Sequence, residues 1–316
     1  MKKNLIIYET YYGTSKKVAE IFSLILGNAK VLDIKQATVN INRYENIILV
    51  FAFHGYETAE KTKEYLKKNS YILMDKNIAL IGVGLNRKDI DNYSKDICSV
   101  LERKANIIEF IQGELRVNKL TEDDKKILEE FLTKANIKLM DMGKFKISEA
   151  CNIALKCRGI LNKPSIILDK DKLKSSIDKF IKDHNTCTLA TGYNNFIRAT
   201  PIEYVYIGGD LYFITEGGVK FNGILQNPNV SICIYESYTG MNNLKGLQIG
   251  GEAEIVDIGS DEYKKIIKEK GVDGEKLKKL PVNLNMIKVK INVFEFLNSD
   301  FKKMCVDVKQ ILDVKS

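Results

Sequence analysis

Short apolar segments alternate with amphipathic segments through the first half of the chain. Residues 4–9 are mainly apolar, and the residues after them place Val18, Ala19, Phe22 and Leu26 on one face of a predicted helix. The same pattern predicts further strands at 30–34, 47–53, 78–83 and 105–111, with helices at 57–68, at 89–104 and from Thr121 onwards. Five strands separated by helices predict a doubly wound α/β domain, whose ligand lies at the carboxyl ends of parallel strands.

The period of the pattern changes in the second half, where apolar and polar positions alternate as they do in antiparallel strands. The pattern predicts six strands, at 187–191, 197–207, 211–215, 230–235, 246–257 and 286–296. Gly208-Gly209-Asp210 is a tight hairpin signal, and six antiparallel strands predict a small barrel. Asn162-Lys163-Pro164-Ser165 marks the predicted boundary, because a residue before proline disfavours helix. The predicted domains are therefore 1–163 and 164–316.

The composition of the chain restricts the class of protein to which it can belong. Of the 316 residues, 45% are hydrophobic and 28% are charged, and no apolar run approaches the roughly 20 residues that cross a bilayer. The six cysteines include no Cys-x-x-Cys pair, which excludes the usual zinc and iron–sulfur spacings and fits reduced thiols. The amino-terminal residues lead directly into a strand and do not read as a signal peptide. We therefore expect a cytoplasmic protein with no membrane span and no metal site.

Positive charge is concentrated in the first half. Residues 1–163 hold 28 Lys and Arg against 21 Asp and Glu, so they carry +7 of the net charge of +8. The lysines are interleaved with acids and form no stripe. We therefore expect a solvated basic surface and no nucleic-acid partner.

The turn after the first predicted strand contains the first candidate chemistry. Three hydroxyls and a run of backbone N–H groups occur where a helix begins, and the turn holds no lysine or arginine. A helix N-terminus attracts anions, so neutral donors here favour flavin mononucleotide (FMN) over a nucleoside triphosphate. Helix capping by Thr14 and Ser15 is the alternative interpretation. The predicted cofactor-binding residues of the turn are Thr10, Tyr11, Tyr12, Gly13, Thr14 and Ser15.

Two further strand ends are predicted to meet this turn. The loop after the third predicted strand is aromatic and contains a glycine, and the loop after the fourth contains two glycines that let backbone donors approach a ring edge. A phosphate turn with two ring-facing loops is the arrangement that FMN requires. The ring-facing residues are predicted to be Ala52, Phe53, His54, Gly55 and Tyr56 in one loop and Gly84, Leu85 and Asn86 in the other.

The second half contains separate candidate chemistry. Arg198 lies in a predicted strand, and Lys220 opens a short helix after the glycines Gly217 and Gly218. Together the two cations could clamp one phosphate dianion, with Thr215 as a neutral donor. Two unrelated surface cations are the alternative interpretation.

Both halves resemble known families. Residues 1–160 resemble flavodoxins, and more narrowly the menaquinone-dependent protoporphyrinogen oxidase group, through residues 12–17 (Tyr-Gly-Thr-Ser-Lys-Lys) and 110–120. Residues 170–300 resemble the pyridoxamine 5'-phosphate oxidase-like, FMN-binding split barrels through residues 187–191, 198–202, 211–215, Lys220, 226–231 and 246–253. The resemblances imply a flavodoxin-like doubly wound parallel sheet followed by an antiparallel six-stranded split β-barrel.

The second resemblance also implies site residues. It places a second FMN against Arg198, Ala199, Thr200, Thr215, Val219 and Lys220, with Gln248 reaching it from the other subunit of a homodimer. The chain lacks the arginine-bearing C-terminal segment with which true oxidases of this family bind pyridoxamine phosphate, so that reaction is not expected.

Two flavin sites in one chain predict an FMN-dependent oxidoreductase, a two-flavin reductase acting on a small organic or quinone-like electron acceptor. The sequence identifies neither the electron donor nor a catalytic residue, and the nearest proton donors are Tyr11, Tyr12, Tyr56 and His54. The alternative is a flavin- or haem-binding carrier or sensor, in which His54 or His184, the two histidines of the chain, would ligate iron.

Overall fold

The computed structural model describes residues 2–53, 59–87, 89–134, 136–273, 277 and 279–314. The chain divides into two compact units, Met1–Lys163 and Pro164–Ser316, called here the first unit and the second unit. No helix among the described residues is both long enough and apolar enough to cross a membrane.

A parallel five-stranded sheet forms the centre of the first unit. Its strands are β1 (Asn4–Glu9), β2 (Ala29–Asp33), β3 (Asn46–Ala52), β4 (Asn77–Gly84) and β5 (Ile107–Gln112), in the order β2-β1-β3-β4-β5. The helices are α1 (Thr14–Leu26), α2 (Glu60–Leu73), α3 (Asp89–Leu101), α4 (Glu122–Lys134) and α5 (Ile147–Leu161). A two-stranded hairpin, β6 (Glu114–Leu115) with β7 (Met142–Gly143), precedes α5. The doubly wound parallel fold is as predicted, whereas the hairpin and α5 were not predicted.

Alternate residues of β1 enter different core layers. Leu5 and Ile7 pack with the residues of α2 and α3, whereas Ile6 packs with α1 and α5. The predicted apolar face of α1, Val18, Ala19, Phe22 and Leu26, is buried as expected. A strand that is covered on both faces must be apolar throughout, which is why the central strands read as unbroken hydrophobic runs.

Asparagines tie the amino-terminal edge of this sheet. Asn46 Nδ2 donates to Asn4 Oδ1 at 2.8 Å and to Asn162 Oδ1 at 3.0 Å. Asn77 Nδ2 donates to Asn46 Oδ1 at 2.8 Å. Buried side-chain amides are tolerated only when they form hydrogen bonds. These asparagines provide such hydrogen bonds to one another at one edge of the sheet.

A buried carboxylate holds the start of α2. The N-cap residue Ala59 has no side-chain acceptor and lies in the left-handed region with φ 55°. Glu9, at the end of β1 and 4% exposed, accepts hydrogen bonds from Thr62 N at 3.0 Å and from Thr62 Oγ1 at 2.7 Å. A side chain from a different element thus supplies the cap that the helix's own sequence lacks.

The second unit is an antiparallel, curled sheet. Its strands are β8 (Thr186–Tyr193), β9 (Phe196–Glu203), β10 (Val205–Ile207), β11 (Asp210–Thr215), β12 (Asn229–Tyr235), β13 (Lys245–Val256), β14 (Asn285–Asn298) and β15 (Lys309–Asp313). The helices described in this unit are α6 (Lys170–Lys182), α7 (Lys220–Gln226) and α8 (Asp261–Glu269). The main strand order is β10-β11-β14-β13-β12-β8-β9, and β15 pairs with β14. The antiparallel split barrel is as predicted.

One bend divides a segment that the pattern predicted as a single strand. Residues 197–207 fall into β9 and β10, which lie at opposite ends of the strand order. Tyr204 lies between them, 5% exposed, and its hydroxyl donates to Ile181 O at 2.7 Å. The chain therefore turns at Tyr204 and brings the two ends of the sheet towards each other. With β15, this division gives eight described strands in the sheet where the pattern indicated six.

We expect the replacement Glu9→Ala to lower the free energy of unfolding by about 1–3 kcal/mol, because Thr62 N–H and its hydroxyl lose their charged acceptor. Urea unfolding of the full chain, followed by circular dichroism, measures the change. The control is Glu20→Ala on the exposed face of α1, which should stay within about 0.5 kcal/mol of the wild type. Equal effects of the two replacements would show that the cap contributes nothing.

Candidate functional site

The carboxyl ends of three neighbouring strands of the first unit meet at one edge. The register aligns Glu9 of β1 with Phe51 of β3, and Phe51 with Gly82 of β4. The segments that follow β1, β3 and β4 therefore leave the sheet side by side, as the sequence predicted. The strand order reverses between β1 and β3, which is where ligands bind in open α/β sheets.

The turn 10–13 is held by its own hydrogen bonds. Gly13 N donates to Thr10 Oγ1 at 3.0 Å, and Lys17 N donates to Gly13 O at 3.1 Å. Gly13 is the N-cap of α1 with φ 91° and has no side chain to cap the helix, so Thr14 and Ser15 lie inside its first turn. The Oγ of Ser15, a residue only 1% exposed, has no hydrogen-bond partner among the described residues. A buried hydroxyl without a partner at a helix N-terminus fits an oxygen-rich ligand group better than a structural cap.

Tyr12 connects this turn to α4. Its hydroxyl donates to the carboxylate of Asp124, and Thr121 N donates to the same hydroxyl at 3.4 Å. Burial raises the pKa of Tyr12, and the hydrogen bond to Asp124 raises it further. Tyr12 therefore holds its proton firmly at neutral pH, which argues against a role as a proton donor. Tyr11 of the same turn is 39% exposed.

Phe53 packs inside the unit. Its ring stacks on Phe110 with centroids 6.1 Å apart and meets Phe51 edge-on at 5.7 Å. A Cβ at Gly82 would lie 2.7 Å from the Phe53 ring, and one at Gly84 would also collide with it. Gly84 is thus required by the packing of Phe53; the approach of a ligand, which the sequence suggested as the reason for this glycine, stays a prediction. Ala52, half-buried, ends β3, and the predicted residues His54, Gly55 and Tyr56 lie outside the described residues.

The loop after β4 is fixed by β5. Gln112 Nε2 donates to Leu85 O at 3.2 Å, and Gly113 N donates to Gly84 O at 2.7 Å. Leu85 is 39% exposed and Asn86 is exposed. Two carbonyl groups of this loop are therefore engaged by the protein itself.

The second unit contains a buried cation. Lys220 at the start of α7 is 6% exposed, and its Nζ donates to Gly217 O. Burial lowers the pKa of Lys220, and the positive charge of Arg198 lowers it further. Among the described residues neither the buried Lys220 nor the exposed Arg198 forms an ion pair with a carboxylate, although a buried charge is ordinarily paired. The two cations that the sequence indicated are thus brought together without a counter-charge.

Three threonines lie on the strand that carries Arg198, on the neighbouring strand β8 and on the strand that leads to Lys220. Thr215 Oγ1 accepts from Gly217 N at 3.4 Å, and the buried Oγ1 atoms of Thr200 and Thr191 have no partner among the described residues. Thr191 lies opposite Arg198 in the β8–β9 register, so the two share one face of the sheet. Sequence reasoning missed Thr191, since only the strand register reveals its position. Val219, just before Lys220, is 56% exposed.

Helix α7 rests on β8. A Cβ at Gly223 would lie 2.8 Å from Thr191 Cβ and 3.1 Å from Gly192 N. At the other end of the helix, Asn227 Nδ2 donates to Gly192 O at 3.0 Å. These two contacts fix the position of α7 on β8 and hence the position of Lys220.

Gln248 does not join the other predicted residues within one chain. Gln248 pairs with Cys233, Cys233 with Thr188, and Thr188 with Pro201. Successive residues of a strand alternate between faces, so Gln248 lies on the face opposite to that of Thr200 and Arg198. Ala199 shares the face of Gln248, and both residues are exposed.

His184, the only histidine among the described residues, lies just after α6. Its Nδ1 is 2.7 Å from Phe180 O, and its ring packs against Phe180 with centroids 4.4 Å apart. Only Nε2 remains for a ligand such as iron. No cluster of three His, Cys, Asp or Glu side chains suited to a metal ion occurs in the described part of the chain.

Comparisons with family models divide the chain in the same way. Residues 5–138 match the model of the flavodoxin domain, and residues 173–298 match the model of pyridoxamine 5'-phosphate oxidase. This order is the fusion that the sequence resemblances predicted. No curated protein matches the chain.

Solved structures that resemble part of the chain are distant in sequence. A putative pyridoxamine 5'-phosphate oxidase from Listeria innocua is 22% identical, with 40% of this chain and 98% of that one covered, at a TM-score of 0.33. The heme storage protein HutZ from Vibrio cholerae is 18% identical (38% and 89% covered, TM-score 0.33). A FAD-binding protein from Mesorhizobium loti is 17% identical (38% and 90% covered, TM-score 0.32).

We expect Gly223→Ala to lower the free energy of unfolding by about 1–3 kcal/mol, because the added methyl group collides with Thr191 and with the backbone of Gly192. The control is Gly159→Ala in helix α5, where a Cβ meets nothing within 4 Å. That replacement should be neutral or stabilise by about 0.5–1 kcal/mol, since alanine favours helix. Thermal unfolding compares the two variants. Tolerance of Gly223→Ala would mean that α7 is not seated on β8.

Proposed function

We propose that this chain, a flavodoxin domain fused to a domain of the pyridoxamine 5'-phosphate oxidase type, is an FMN-dependent oxidoreductase that binds one FMN in each unit. When bound, the flavins supply the one- and two-electron chemistry. The proposed substrate is a small organic or quinone-like electron acceptor. The flavin-binding character of both families supports the proposal.

In the first unit the proposed phosphate donors are neutral. The partnerless hydroxyl of Ser15, the hydroxyl of Thr14 and the first backbone N–H groups of α1 would hold the phosphate. Thr10 would act indirectly, because its hydroxyl already shapes the turn by accepting from Gly13 N. Ala52 and the segment 84–86 would face the ring, since they lie at the same edge of the sheet.

The observation that carries the two-flavin proposal is the uncompensated pair Lys220 and Arg198. Two neighbouring cations, one of them 6% exposed, disfavour each other's charge unless an anion lies between them. A phosphate dianion would supply that charge and would take the hydrogen bonds that Thr200 Oγ1 lacks in the described structure. Lys220 and Arg198 would thus bind and orient the phosphate, and Thr215 and Val219 would contact the same cofactor.

We further propose that the second unit forms a homodimer. Along one row of the sheet, Ala199 pairs with Ala190, Ala190 with Ser231, and Ser231 with Gly250. Small side chains leave this face flat, on the same side of the sheet as Gln248. Ile197, 83% exposed, borders the row on the same face. Such a surface suits a second copy, which would bring Gln248 to the partner's cofactor.

The proposed setting is a reducing, cytoplasmic one. All six cysteines are free thiols in the structure. Burial raises the pKa of Cys157 and of Cys187 to about 12 each, so these thiols stay protonated and unreactive. Inert buried thiols fit a compartment in which disulfides do not form.

A flavin- or haem-binding carrier is the second candidate. The chemistry of the described site residues favours this candidate. Tyr12 is the acid of the proposed phosphate turn, but its pKa is raised and its hydroxyl already donates to Asp124. A carrier needs no proton donor, whereas reduction of an organic acceptor requires protons from side chains or water. Turnover with an added quinone distinguishes the two candidates.

The flavin content of the purified chain tests the proposal. We expect two FMN per chain in the wild type and close to one in Lys220→Met, which keeps the aliphatic stem and removes the charge. In the double variant Thr14→Ala, Ser15→Ala, the affinity of the first unit for FMN should fall about tenfold, as expected for the loss of a charge-assisted hydrogen bond. The control is Lys126→Met on the exposed surface of α4. One flavin in the wild type, located in the first unit, would overturn the two-flavin proposal.

Light scattering tests the dimer. The wild type should have about twice the 35.9 kDa mass of one chain. We expect Ser231→Arg to give monomers, because a charged side chain in the flat row cannot be buried against a second copy. Ser175→Arg, on the exposed surface of α6, is the matched control and should remain dimeric. A monomeric wild type at micromolar concentration would remove both the dimer and the role of Gln248.

A further inference from the structure

A cleft of about 580 Å³ lies in the first unit on the β5 side of the loop that follows β4. Arg87 and Gln112 border it on one side, and the first two turns of α5 border it on the other. The phosphate turn follows β1, which is separated from β5 by β3 and β4 in the sheet order. The cleft is therefore separate from the phosphate turn, whereas Arg87 directly follows the proposed ring-facing segment 84–86. The volume of the cleft lies in the range of small-molecule sites.

The cleft combines apolar and polar walls. The half-buried Ile153 supplies apolar surface. Phe110 also borders the cleft, but it is 4% exposed and its ring stacks on Phe53 in the core layer of α2 and α3, on the face of the sheet opposite to α5. Gln112, Ser148 and Asn152 supply polar groups, and the side-chain amide of Gln112 is already fixed to Leu85 O. An apolar wall with a few placed polar groups fits an organic molecule better than an inorganic ion.

Only some of the charged residues that line the cleft are neutralised by an ion pair. Glu109 is paired with Lys156, whose ammonium donates to its carboxylate. The hydrogen bond to Glu109 raises the pKa of Lys156, and the nearby positive charge of Arg87 acts in the opposite direction. Arg87 therefore adds positive potential beside a pair that is already neutral.

Two lining cations remain without an acidic partner. Neither Arg87 nor Lys146 forms an ion pair or a side-chain hydrogen bond with any described residue. Glu149, half-buried in the first turn of α5, is the remaining acid of the lining. Two cations against one acid leave an excess of one positive charge, which matches a single negative charge on a ligand.

We propose that this cleft binds a small monocarboxylate with an apolar, ring-sized body. The carboxylate contacts Arg87 and Lys146, and the body lies against Ile153. A guanidinium group pairs well with a carboxylate because its donors match the two oxygens. This inference does not depend on bound flavin, so it stands or falls separately from the proposed function.

Three probes with one ring system and different charges test the site on the full-length protein. They are 2-naphthoate, the neutral 2-naphthalenemethanol and the cationic 2-naphthylmethylammonium, with affinities measured by calorimetry at low and high salt. The carboxylate should bind at least about fivefold more tightly than the other two, a difference on the scale of a partly exposed ion pair. High salt should reduce that preference, because it screens the charges.

Replacements assign the charge recognition to residues. Arg87→Gln and Lys146→Gln should each weaken naphthoate binding about threefold to fivefold while leaving the neutral alcohol unchanged. Lys126→Gln on α4 is the control for loss of one exposed lysine and should bind naphthoate as the wild type does.

Several results would overturn the inference. Equal affinity for the three probes would mean that the charges of the lining do not act, and tightest binding of the ammonium probe would mean that Glu149 and Glu109 dominate. Unchanged binding in Arg87→Gln, or no binding of any probe at millimolar concentration, would remove the site.

Discussion

A buried ammonium group needs an anion, and none of the described residues of the second unit supplies one to Lys220. Lys220 is almost wholly enclosed and donates to Gly217 O, and the exposed Arg198 lies near it. Desolvation of an unpaired charge costs several kcal/mol. A fold that retains such a pair is most simply explained if a ligand supplies the missing charge. The seating of α7 on β8 through Gly223 serves the same end, because it holds Lys220 in place.

The two proposed anion sites differ in the charge of their donor groups. The turn before α1 contains no cation and offers hydroxyl and backbone donors, whereas the second unit offers two cations. Neutral donors bind by geometry and are little affected by salt, while a pair of cations adds a long-range attraction that salt weakens. If both sites hold FMN, the cofactors differ in their electrostatic surroundings. Such a difference is one way in which a protein sets two flavins to different potentials.

The environment of each charged residue of the first unit is visible only in the folded structure. Its net charge of +7 is distributed among lysines that are mostly exposed. Arg87 and Lys146 differ because they border a cleft and have no acidic partner among the described residues, whereas Lys156 is neutralised by Glu109. The overall charge therefore does not reveal which of many similar cations border a concave surface.

The sequence by itself determined the fold classes, because the hydrophobic period is local: unbroken apolar runs indicate strands covered on both faces, and alternation indicates strands covered on one. It also indicated the turn at Thr10–Ser15 and the pair Arg198 and Lys220, since each is carried by a short motif. Only the tertiary structure decided what depends on distant partners. It divided residues 197–207 at Tyr204, whose hydroxyl bonds to Ile181, and it placed Thr191 opposite Arg198. It also placed Glu9 where it caps α2, and it placed the ring of Phe53 where only a glycine fits at position 84. Contacts of this kind are set by strand register and side-chain packing, which no local pattern of residues encodes.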